Sequence, residues 1–223
     1  MTEQQDQPQR PRPRIESLSD MVFGLALSVG AITLVSSPPL DAKSTYVDLG
    51  TFGFSFLILI TIWLRYTRIM SVLPLASQRV VTLNTILLFL VSVEPFLFNI
   101  VKNIPAGVTD AAGYADATST LYALDLGGMM VILAFFTFSA ADEEKRLIPK
   151  DLVRQFRGET ITWLVSGALY TVTALPIFFT VHLHGLPLRY SFWSVPTAFI
   201  LAVRAYRRLS ARRGEGPSGS APA

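Results

Sequence analysis

The chain has 223 residues, of which 51% are hydrophobic and only 16% charged, with a formal net charge of +3. A soluble domain carries about a quarter charged residues to cover its surface, so a soluble globular class is excluded. Absence of cysteine excludes disulfides, zinc–thiolate sites, iron–sulfur clusters and thiol nucleophiles.

In chain order, residues 1–14 are polar and Pro-rich and read as a disordered cytoplasmic tail. They are not a signal peptide, because the apolar block that follows is too long and no A-x-A-like cleavage site ends it. Six apolar blocks come next, at about 17–35, 49–66, 80–101, 121–140, 159–181 and 188–206. Each approaches the ~20 residues that an α-helix needs to cross a ~30 Å hydrocarbon core. They are twice the length of a barrel strand and lack its alternation, so helices are predicted. A turn begins at Ser36-Ser37-Pro38-Pro39, a polar loop covers 103–119, and a charged connector covers 142–157. Such short connectors leave no room for a second soluble domain. One transmembrane domain over 15–209 is predicted, followed by a second disordered tail over 210–223. Pro176 and Pro196 predict kinks in the last two spans.

The basic residues sort by side. Sixteen of the 19 precede span one, separate spans two from three and four from five, or end the chain; only Lys43, Lys102 and Arg189 fall opposite. The positive-inside rule then puts both termini in the cytoplasm, which an even number of spans requires. The same dispersal argues against a nucleic-acid partner. An all-α, multi-pass protein of the cell membrane, with the bilayer as its surroundings, is the predicted class.

Within span one, Met21, Leu25, Ser28 and Ile32 fall within an arc of about 60° at helical spacing. The helix is otherwise rich in Gly, Ala, Ser and Thr, which allow close helix approach. Such a narrow stripe suits the inner ring of an oligomer, although periodicity alone favours ordinary span packing. Asp20, with Ser17 three residues ahead, is either a helix N-terminal device or a group bonded to neighbouring helices at the cytoplasmic end. Candidate partners are Trp63 and Tyr66 in span two and Asn84 near the start of span three. Arg65 and Arg68 are accounted for as positive-inside anchors, and Trp63 and Tyr66 also fit an interfacial aromatic belt.

Several of these pieces fall in a specific order: Arg14 followed by Leu18-Ser19-Asp20, then Ser55-Phe56 and Trp63, then Asn84, then Pro95-Phe96. In that order they resemble the transmembrane protein 175 family, the endosomal/lysosomal potassium channel family, in its single-repeat prokaryotic form. The resemblance covers about the first 100 residues. It implies a homotetramer of six-helix subunits conducting potassium ions, with the first helix of each lining the pore and no conventional filter loop. The sequence has no Thr-Val-Gly-Tyr-Gly segment. The resemblance further implies a hydrophobic constriction at Leu25, with Ile32 as the next layer, and ion coordination by the Ser28 hydroxyl. Arg14, Ser19, Asp20, Trp63 and Asn84 would form the motif that holds the pore helix. The family's Phe is Leu18 here, its His after the span-two Trp is replaced by Tyr66, and Ser28 stands where Thr is common.

Glu94 is a charge at membrane depth, next to Pro95, and is a candidate intramembrane carboxylate. A structural bond or protonation accounts for it better than ion coupling does. Asp125 is expected near the outer end of span four, at the interface. His182 and His184 stand two apart in a short outer turn without a carboxylate, which is not a metal site. No hydrolase, phosphate-loop, dinucleotide or zinc-protease motif occurs, so neither an enzyme nor a cofactor is expected. The functional expectation is a potassium-permeable cation channel. The alternatives are a secondary or proton-coupled transporter using Glu94, or a non-conducting membrane scaffold.

Overall fold

The computed structural model describes residues 13–36, 41–73, 78–142, 147–183 and 185–214. The expected tails lie outside them except for residues 13–14 and 210–214, as do residues 37–40 of the first turn and His184. Six long helices account for most of the described chain: α1 (Pro13–Ser36), α2 (Ala42–Met70), α3 (Gln78–Lys102), α4 (Ala111–Ala140), α5 (Lys150–Val172) and α7 (Leu188–Gly214). A four-residue helix, α6 (Ile177–Thr180), and a two-stranded antiparallel ribbon, β1 (His182–Leu183) and β2 (Leu186–Pro187), join α5 to α7. Gly185 turns the ribbon with φ of 81°, a conformation that glycine adopts without strain.

Local chemistry sets the helix ends. Asp41 caps α2 with a reciprocal capping box: its carboxylate accepts from the Ser44 amide at 2.7 Å, and its own amide donates to the Ser44 hydroxyl. Those bonds hold the Asp41 carboxyl below the ordinary carboxylate range. Asp110 caps α4 through the Gly113 amide at 2.9 Å, and a side chain at Gly113 would collide with that carboxylate. The polar loop predicted over 103–119 therefore ends at Ala111, where the cap starts the helix. Likewise α5 begins at Lys150 inside the predicted charged connector, directly after Pro149. It ends at Val172, short of the predicted span end at 181. Pro176 lacks an amide hydrogen and opens α6 instead of kinking a continuous helix. Pro95 and Pro196 both lie inside helices that continue past them.

Neighbouring long helices run antiparallel. Ser19 near the start of α1 bonds Tyr66 near the end of α2, Lys102 at the end of α3 pairs with Asp48 on α2, and Thr160 of α5 bonds Thr137 of α4. The core lies around α4, whose apolar stretch is 67% buried against 22% for α2. The α4–α5 crossing is the closest in the fold. A Cβ at Gly127 would sit 2.5 Å from Thr171 Oγ1, and one at Gly167 would sit 3.1 Å from the Gly127 carbonyl oxygen. Small residues let these backbones touch, which is how helices gain packing energy where no water drives them together.

Among the described residues, α2, α3 and α4 are long and apolar enough to cross a bilayer, and α1 contributes a shorter apolar stretch, Ser17–Ile32. Charges shorten the other two: α5 carries Lys150, Asp151, Arg154, Arg157 and Glu159 in its first ten residues, and α7 ends in Arg204, Arg207, Arg208, Arg212 and Arg213.

Candidate functional site

Helix α1 has two unlike faces. Ser19, Phe23 and Ala26 are buried against α2 and α3 at spacings of four and three. On the other side Met21 is 64% exposed, Leu25 63% and Ile32 62%, with Leu18 and Ser28 also exposed. The predicted stripe of Met21, Leu25, Ser28 and Ile32 is therefore exposed among the described residues. The Ser28 hydroxyl donates back to the Gly24 carbonyl at 2.8 Å, which satisfies its proton and turns oxygen lone pairs outward.

The start of α1 is held by α2. Trp63 Nε1 donates to Asp20 Oδ1 at 2.9 Å, and the Ser19 and Tyr66 hydroxyls share a bond of 2.6 Å. The Phe23 ring lies against Tyr66 with centroids 5.6 Å apart. Trp63 and Tyr66 are three residues apart and so share one side of α2, while Ser19 and Asp20 meet them from α1. Of the expected motif, Ser19, Asp20 and Trp63 come together. Asn84 is buried on α3, and its side-chain oxygen has no hydrogen-bond partner among the described residues. The Arg14 side chain lies outside the described residues.

Two connections were not legible as such. Arg65 and Arg68 are not simply anchors facing the membrane surface, for both reach Glu159 of α5, at 3.1 and 3.6 Å. Glu159 is buried, also accepts from Gln155 at 3.1 Å, and stands where Arg68 stacks over Phe156. The end of α2 that grips α1 is thus itself tied to α5. The available signal was an acid opening an apolar block on the basic side of the sequence. At the opposite end Arg189, read as an outer basic residue, is wholly buried. It donates to the carbonyls of Thr173, Ala174 and Leu175 at the end of α5, to the Asp116 carbonyl and to Ser119 Oγ. The Asp116 carboxylate lies 2.8 Å from it as an ion pair without hydrogen-bond geometry. A guanidinium with five donors satisfies the orphan carbonyls of a helix terminus better than any other side chain.

Glu94 is fully buried and lies away from the exposed α1 face. Its Oε1 accepts from Ser55 of α2 at 2.7 Å and from Tyr122 of α4 at 3.2 Å. Asp125 is not interfacial as expected: it is 5% exposed, while Leu124 beside it is 45% exposed. Central position makes the difference, because α4 is surrounded over most of its circumference. His182 is exposed and bonds the Thr180 carbonyl, and among the described residues no three His, Cys, Asp or Glu gather as metal ligands.

The family model Endosomal/lysosomal potassium channel TMEM175 matches residues 14–95, which span α1, α2 and most of α3. No curated protein matches the chain by sequence. Among solved structures, the crystal structure of a lysosomal potassium-selective channel TMEM175 homolog from Chamaesiphon minutus shares the fold, with a TM-score of 0.55 at 19% identity. The match covers 85% of this chain and 96% of that one. The family resemblance read from Arg14 through Pro95 is borne out.

Proposed function

We propose, from the chain's place in the endosomal/lysosomal potassium channel family through its first three helices, that it is a potassium-permeable cation channel subunit. In this reading four copies assemble with α1 innermost, six helices per copy cross the membrane, and both termini are cytoplasmic. The observation that carries it is the exposed Leu25–Ser28–Ile32 face on a helix whose opposite face is packed and bonded. A helix of that kind needs something against its free side, and four such faces around one axis form a pore.

The mechanism follows from the residues. A ring of Leu25 side chains excludes water when narrow and offers nothing to replace an ion's hydration shell, so conduction requires widening. Ile32 adds a second apolar layer further along. Between them, Ser28 hydroxyls already spend their protons on Gly24 carbonyls, so their oxygens are available to a partly hydrated cation. The grip of Trp63 and Tyr66 on Asp20 and Ser19 sets how α1 leans toward the axis. The Arg65–Glu159 and Arg68–Glu159 pairs brace that grip from α5.

The test is potassium flux in liposomes. Leu25→Asn, which places a hydrogen-bonding group in the constriction, raises flux or lowers its discrimination between cations. Flux indistinguishable from wild type removes Leu25 from the pathway. A saturating, concentration-dependent flux abolished by Glu94→Gln marks a carrier instead, and no flux from a well-formed oligomer marks a scaffold.

A further inference from the structure

The interior of the subunit holds an acidic pair that the pore does not use. Glu94 of α3 is fully buried and Asp125 of α4 is 95% buried, and Asp125 stands one helical turn beyond Tyr122, whose hydroxyl bonds Glu94. Oε1 of Glu94 is satisfied by Ser55 and Tyr122, but its Oε2 and both oxygens of Asp125 have no hydrogen-bond partner among the described residues. Three orphan carboxylate oxygens in one low-dielectric interior are a large deviation from the rule that buried polar atoms are bonded. Two unpaired negative charges there cost far more than an ordinary unsatisfied group.

Among the described residues, no side chain supplies the missing positive charge. Glu94 faces Ser55 of α2 and Tyr122 of α4, and Tyr170 of α5 donates to the Trp193 carbonyl. Helix α1, which packs on α3, has Asp20 as the one titratable group within 17–36, and Asp20 is at the other end with Trp63. Of the basic residues on the pair's side of the bundle, Lys102 pairs with Asp48, Arg189 binds Asp116 and the carbonyls ending α5, and Lys43 is exposed. Neither carboxylate takes part in an ion pair with a basic residue among the described residues.

We propose that Glu94 and Asp125 together form a binding site for one monovalent cation, a proton or an alkali ion, inside each subunit and apart from the α1 face. An alkali ion takes Oε2 of Glu94 and the two oxygens of Asp125 as ligands, whereas a proton is held by one of these three oxygens and shared with at most one other. Ser55 and Tyr122 hold the Glu94 carboxylate in place by bonding its other oxygen. Because α3 and α4 each supply one carboxylate, the bound charge ties these helices together, and its departure leaves them repelling across their contact. This inference stands without the channel reading, since it concerns stability of the fold.

The test is thermal unfolding of the full chain in detergent, so its failure leaves the flux experiment untouched. One arm varies potassium against choline at fixed pH; the other varies pH in choline. The transition temperature rises by roughly 3–6 °C for each tenfold increase in free cation while the site fills, in the potassium arm for an alkali ion or in the pH arm for a proton. Asp125→Asn and Glu94→Gln abolish that dependence. Dependence on neither variable, or dependence that persists in both variants, overturns the proposal and leaves neutral water as the filler. Infrared difference spectra of the wild-type protein read the pair without a substitution, should either variant fail to fold. Between about pH 6 and 8, where exposed carboxylates stay ionised, or between potassium and choline, a change in the carboxyl stretching bands supports the site. Its absence in both comparisons overturns it.

Discussion

Breaking the bond between Ser19 and Tyr66 tests whether α2 holds the first helix. The hydroxyls are 2.6 Å apart, and their residues are 0% and 2% exposed, so the bond is short and out of reach of water. A buried neutral bond contributes about 0.5–1.5 kcal/mol net, whereas removing one partner and leaving the other buried costs about 1–3 kcal/mol. Tyr66→Phe and Ser19→Ala, which change almost no volume, each lower the transition temperature by roughly 2–10 °C for a chain of this size. The double variant costs less than the sum of the two, with a coupling of about 1 kcal/mol, because the second substitution removes a group whose bond the first has already broken. The assay is a double-mutant cycle by thermal unfolding, with potassium flux measured on the same four proteins. Costs that add to within about 0.5 kcal/mol refute the bond as an anchor, and flux identical across all four proteins refutes its part in setting the pore helix.

Two further predictions concern the frame. Gly167→Val pushes side-chain atoms into the Gly127 carbonyl, 3.1 Å from the nearest Cβ position, and into Val131, and overpacking of this kind costs about 1–3 kcal/mol; unchanged thermal stability would mean that α4 and α5 are not in backbone contact. At Asp41 the folded carboxyl sits below its ordinary range, so its cap stabilises the protein at neutral pH and that contribution is lost as pH falls through the lowered value. Asp41→Asn flattens the acid side of the unfolding profile, and an identical acid limb in both proteins contradicts the cap.

The first helix was the most legible part of the chain because its chemistry is periodic. Leu25, Ser28 and Ile32 recur at helical spacing, and the structure leaves that face exposed. Asp20 was a charge beside an apolar block, and an antiparallel neighbour bearing Trp63 is what such a charge requires. Asp125 was misplaced because α4 is apolar nearly all round, and a helix buried on most sides has no polar face to reveal which residues point inward. Arg189 and Glu159 were hidden for another reason. Counting basic residues by side gives orientation, but it is blind to whether a particular guanidinium turns to water, to a carboxylate or to helix carbonyls. Helix limits followed from caps at Asp41, Asp110 and Pro149, which apolar-block boundaries cannot register.

The natural sequence lacks cysteine, so single cysteines can be introduced without background. Placing one at Leu25 on α1, and another at Leu57 on the exposed side of α2 (57% exposed) as a comparison, separates a face turned to a watery axis from one turned to lipid. In reconstituted protein, a charged membrane-impermeant thiol reagent is predicted to modify Leu25→Cys and to change potassium flux as it does so, while Leu57→Cys stays unmodified. A Leu25→Cys protein that conducts but resists the reagent as fully as Leu57→Cys would contradict the placement of this helix at the pore.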